Sequence, residues 1–171
     1  GWIGTRPMSE GEFVDWGNPI AEMIYEALRY FAGKKVPTSN FAGSRTYDVQ
    51  VGLQDATWDD PYSSTSAAKA PWCARSNLLI ISDVNVSFDS DQLPGSAFSS
   101  FSGDLSGLNV SRLSDTITAN EPGVAGLRFI GQSDAHSDGS PTAKTVTSLG
   151  NIRGLAPEEP TKQGSYYSAA V

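Results

Sequence analysis

The chain has 171 residues, a formal net charge of −7, one cysteine and one histidine. That length fits one domain with a substantial core. The acidic balance argues against a nucleic-acid or anionic-membrane partner, and no apolar run is long enough to span a membrane. Cys73 has no partner for an internal disulfide or a cysteine zinc site, and His136 alone excludes a multi-histidine metal site.

The N-terminal stretch, residues 1–17, is broken by Gly4, Pro7, Gly11 and Gly17 and reads as an irregular entry. A helix is predicted over residues 18–33. Asn18 is the expected N-cap and Pro19 the first helical residue, where its missing N–H costs nothing. Ile20, Ile24, Ala27, Leu28 and Phe31 form its apolar stripe. Gly33 is the expected stop, followed by Lys34 and Lys35 at the negative end of the helix dipole.

Tyr47, Val49 and Val51 alternate with polar residues and suggest a short strand. Ala56–Ala70 reads as an exposed loop, and Cys73 beyond it as a small buried hydrophobe. Four aliphatic residues, Leu78–Ile81, then predict a central strand buried on both faces.

Directly after that run, Asp83, Asn85, Ser87, Asp89 and Asp91 recur at every second position. On extended backbone all five oxygen-bearing side chains would share one face. That face is either solvated or a site for a hard cation, calcium or magnesium. The pattern imitates the start of an EF-hand loop, but Phe88 stands at the turn glycine and Pro94 at the bidentate glutamate, so an EF-hand is rejected. If a cation binds, the expected ligands are Asp83, Asn85 and Asn18, at the meeting of a strand end and a helix start.

Further on, Leu105, Leu108, Val110, Leu113 and Ile117 predict a helix over about Ser111–Ala119. Leu127–Ile130 reads as a second buried strand, and Thr145–Leu149 as a third. Between them GQSDAHSDGS is a turn-rich loop, with Asp134 and Asp138 as candidate secondary ligands. Tyr166–Val171 has the composition of an element just opening, so the sequence is expected to be an internal piece of a longer protein.

Several stretches together resemble one family: NPIAEMIYEALRYFAG, ATWDDPY, ISDVNVSFDSDQLPG, RFIGQS and GNIRGLAPEEPTKQGSYYSAAV. They are similar to the N-terminal region of the PilY family of type IV pilus biogenesis proteins, the pilus-tip adhesins. The resemblance implies an α/β fold, a von Willebrand A-like (Rossmann-like) partial domain with long loops, as a single domain over residues 1–171. It also implies an extracellular, pilus-associated bacterial protein whose partners are minor pilins or other filament subunits. The metal pattern of that fold carries over only in part. Asn18 stands where the fold has a threonine, Asp83 looks like the aspartate after a later strand, and the D-x-S-x-S loop is absent.

The first functional expectation is therefore a non-enzymatic binding module of a pilus-tip protein. A structural subunit or accessory of an extracellular filament is the alternative. A metal-dependent hydrolase using Asp83, Asp89, Asp91, Asp134 and His136 lacks a recognisable nucleophile with its base.

Overall fold

The computed structural model describes residues 17–41, 49–50, 52, 57–65, 70–71, 73–82, 86–132, 138–152 and 164–171. Its regular elements are α1 (Ile20–Phe31), α2 (Val110–Asn120), β1 (Gly126–Gln132) and β2 (Asp138–Val146), with 3₁₀ turns at Ser39–Phe41 and Tyr167–Ala169. The chain divides into two compact units, one holding Gly17–Tyr25 and Leu79–Val171, the other Gly1–Trp16 and Glu26–Leu78. Helix α1 runs through the division.

In the unit that takes the second half of α1, the helix ends as its sequence predicts. Gly33 adopts φ +75, its N–H reaches Tyr30 O at 3.0 Å, and Lys34 N–H reaches Arg29 O at 3.1 Å. This is a Schellman stop, and glycine at C′ removes the steric cost of the left-handed turn. Glu26 accepts from Arg29 Nη1 at 3.1 Å and from Thr38 N at 2.9 Å. The Trp58 ring meets Tyr30 edge-on at 5.9 Å, and the Arg29 guanidinium lies 5.6 Å from its centroid. Cys73 is exposed, not buried as its residue type suggests.

In the other unit the core joins Ala21 and Tyr25 of α1 to Leu93, Val110 and Tyr167, with Phe98, Phe101, Leu105 and Leu108 packed around them. The buried side of α1 is thus set by Ala21, Glu22 and Tyr25, while Ile20 and Ile24 of the predicted stripe are only half-buried. The face is turned by about one residue, because Glu22 finds a backbone partner inside.

Helix α2 forms where the sequence predicts, capped by Asn109, whose Oδ1 accepts from Arg112 N at 2.9 Å. Gly95 (φ +72) lies against that cap, and a Cβ there would overlap the Asn109 side chain. The buried positions of α2 are Val110, Ser114 and Thr118, not an all-apolar stripe. Thr118 Oγ1 donates to Ser114 O at 2.8 Å and accepts from Leu149 N at 3.0 Å, so burial of that hydroxyl is compensated.

Strands β1 and β2 pair as an antiparallel hairpin with Gly126 opposite Val146 and Ile130 opposite Thr142, and the register slips between Ile130 and Gln132. Leu127 is 67% exposed, so β1 is not the doubly buried strand expected from its apolar run. A second small core joins Val146, Leu149 and Ile152, with Val124 and Tyr166 beside them.

The largest departure is at Leu78–Ile81. These residues form no strand, and Leu79 and Ile81 are 82% and 89% exposed. Among the described residues no strand pairs with them and no helix covers them. A strand needs backbone partners, and an aliphatic run alone does not supply them. Of the expected strand at Tyr47–Val51 only Val49 and Gln50 are among the described residues, and they are helical rather than extended.

Tyr167 closes the main core. Its ring is fully buried. Its hydroxyl donates to Gly150 O at 2.6 Å and accepts from Ala97 N at 2.9 Å. Tyr167→Phe keeps the packing and strands the Ala97 N–H, while Gly150 O keeps its bond from Ser111 Oγ at 3.1 Å. The expected cost is about 1–3 kcal/mol, read by urea unfolding. Gly103→Ala should also destabilise, because Gly103 has φ +61 and a Cβ there would overlap the Tyr25 hydroxyl.

Candidate functional site

The site of interest is the segment 86–99 where it meets the start of α1 and the C-terminal segment. Asn18 forms an antiparallel bridge with Ser87. Its O accepts from Ser87 N at 3.1 Å, and its N–H donates to Ser87 Oγ at 2.8 Å. Its Oδ1 accepts from Ser82 Oγ at 2.8 Å. The first helical bond of α1, Met23 N to Pro19 O at 2.9 Å, makes Pro19 the cap position. Asn18 is therefore a bridge residue, not the N-cap its residue type suggests, because its groups are engaged by the Ser82–Ser87 segment.

The predicted common face does not form among the described residues. Phe88 has φ 51, a left-handed conformation uncommon for a bulky residue. That turn breaks the extended backbone on which the alternation depended. Ser87, Asp89 and Ser90 are all buried, so neighbours at odd and even positions both point inward. Asp83 and Asn85 lie outside the described residues, as do Asp134 and His136. Asp138 is in β2.

What the segment builds instead is a buried acidic cluster. The Asp89 carboxylate is fully buried, and its Oδ1 accepts from Ser165 N at 2.7 Å. Ser165 Oγ returns a bond to Asp89 O at 3.0 Å and accepts from Tyr167 N at 3.2 Å. Glu22 Oε1 accepts from Gln92 N at 2.9 Å. Asp91 Oδ2 accepts from Gln92 Nε2 at 3.0 Å. Asp89 Oδ2 and Ser90 Oγ are buried with no hydrogen-bond partner among the described residues.

Burial pushes Asp89 up to about 6, opposed chiefly by the Ser165 amide. Burial also pushes Glu22 up to about 7, and the neighbouring carboxylates of Asp91 and Asp89 add to the rise while the Gln92 amide lowers it. Loss of water disfavours the charged form of both groups, and like charges add to this for Glu22. The arrangement can hold and release protons near neutrality. It does not present a metal cage, since no three His, Cys, Asp or Glu side chains among the described residues converge to hold an ion.

Sequence reasoning did not single out Glu22, Ser165 or Tyr167. Glu22 lies between the first two residues of the apolar stripe and looks like a first-turn acid favouring the helix dipole. Only the approach of Gln92 and Asp89 makes it an interior group.

The whole chain, residues 1–171, matches the family described as PilY1 homolog, second domain. The chain belongs to that family. It is 45% identical over 180 residues to the type IV pilus biogenesis factor PilY1 homolog of Xylella fastidiosa (strain Temecula1 / ATCC 700964). The alignment covers all of this chain and 12% of that relative. No solved structure matches. Among the described residues no helix is long and apolar enough to cross a membrane.

The cluster makes stability depend on pH. The folded state holds protons that the unfolded chain releases above about pH 4. Stability is therefore greatest on the acid side, falls as pH rises through about 6 for Asp89 and about 7 for Glu22, and is level above that. The loss is on the order of 3 kcal/mol for each group. Glu22→Gln keeps an acceptor for Gln92 N–H but cannot ionise. Urea unfolding between pH 5 and pH 8 should show a shallower decline for this variant, and greater stability than wild type at pH 8.

Proposed function

We propose that this chain is a non-enzymatic module of a pilus-associated surface protein, contributing to type IV pilus assembly and to adhesion at the pilus tip. The observation that carries the reading is the identity of 45% along its whole length to a protein named as a type IV pilus biogenesis factor. Partners are then pilus subunits, minor pilins among them, and the location is the bacterial surface. The α/β, von Willebrand A-like character belongs to the same proposal and rests on the sequence stretches around residues 18–33 and 81–95.

The module works by presenting surfaces rather than by turnover. Its buried polar groups are spent on holding segments together: Asp89 on the C-terminal segment, Glu22 on the turn at Gln92. In cells carrying the full-length parent protein, deletion of the region matching residues 1–171 should abolish surface pili and twitching while the remaining protein is still detected by immunoblot. Asp134→Ala and His136→Ala should leave both unchanged, whereas loss of pili with either variant would favour the hydrolase reading.

A divalent cation, calcium or magnesium, would be held through Asp83 with Asn85 and Asn18. Asn18 Oδ1 already accepts from Ser82, so only part of a hard-cation shell can come from these three residues. Calorimetric titration should give millimolar affinity at best, lost in Asp83→Ala.

A further inference from the structure

Among the described residues of its unit, Leu79–Ile81 is a run of consecutive exposed aliphatic residues that the core and the acidic cluster do not use. Leu79, Ile80 and Ile81 are 82%, 50% and 89% exposed. The exposure alternates with a period of two, as along an extended chain. None of the three makes a hydrogen bond with any described residue. Three consecutive aliphatic residues whose backbone N–H and C=O groups bond no described residue form a template for strand pairing.

The run is also held in place. Ser82, the next residue, donates to Asn18 Oδ1 at 2.8 Å, and Asn18 is bridged to Ser87. The chain at Gly17–Asn18 therefore passes beside the end of the run. In the Xylella relative the matched region is 12% of the protein, and the family description makes it a second domain, which implies a domain ahead of it.

We propose that Leu79–Ser82 is a strand donated to the sheet of the domain that precedes this one in the same polypeptide. Strand addition supplies the missing backbone partners, and the sheet covers Leu79 and Ile81. A tethered partner is favoured over a second copy because the link gives it a high effective concentration. The proposal concerns contacts within one chain and does not depend on the pilus role.

The test uses the full-length parent protein with Ile81 replaced by p-benzoylphenylalanine, irradiated and mapped by mass spectrometry. The expected crosslink joins Ile81→p-benzoylphenylalanine to a segment N-terminal to this domain within the same polypeptide, with a yield independent of protein concentration. Hydrogen exchange of wild-type peptides covering Leu79–Ser82 should be slowed at least tenfold relative to an unstructured chain. Crosslinks to later domains, or to a second copy in a band that grows with concentration, overturn the proposal. Exchange at the unstructured rate overturns it whatever the crosslinks show.

Discussion

The unit containing the start of α1 depends on how its last eight residues are held. Ser165 and Tyr167 enter the interior as polar residues and are accepted there because each polar group meets a partner. Asp89 receives the Ser165 amide. Gly150 O and Ala97 N take the two sides of the Tyr167 hydroxyl. Burial of the ring contributes on the order of 1.5–3 kcal/mol, but that gain survives only if the hydroxyl and the nearby backbone groups are not left dry and unpaired. One side chain thus links α1, the 86–99 segment, the turn before Gly150 and the C-terminus.

The acidic cluster has a different balance. Two buried carboxyls next to a third are unfavourable as charges, and the structure relieves this by raising their proton affinity rather than by pairing them with cations. Glu26, by contrast, pairs with Arg29 and accepts from Thr38 N. A domain built this way is more stable in mildly acidic surroundings than in alkaline ones. Asp89 Oδ2 and Ser90 Oγ, without a partner among the described residues, are a local cost, and a neutral Asp89 lowers it by removing a buried charge.

Family membership and internal structure answer different questions. Identity along the full chain places the protein in the family described as PilY1 homolog, second domain, but the residues that order the described core are turn and segment residues, Ser165, Gly95 and Asp89 among them. Their role is to fix loops on two helices. Among the described residues, the exposed run at Leu79–Ile81 lies outside that core.

Local signals determined the local elements. Gly33 stops α1 because only its lack of a Cβ makes the left-handed turn easy, and Asn109 starts α2 because its side chain reaches a free N–H three residues on. Both are legible because each depends on a few neighbouring residues. The aliphatic run Leu78–Ile81, the apolar stripe of α1, the one-faced alternation from Asp83 to Asp91 and the expected burial of Cys73 were not decided by sequence. A strand exists only with a partner, a buried face depends on what packs against it, and an alternation holds only while the backbone stays extended. Phe88 turned that backbone, Gln92 drew Glu22 inside, and Ser165 came from seventy-six residues away to meet Asp89. Composition and spacing carry no record of such meetings, and tertiary structure alone decides them.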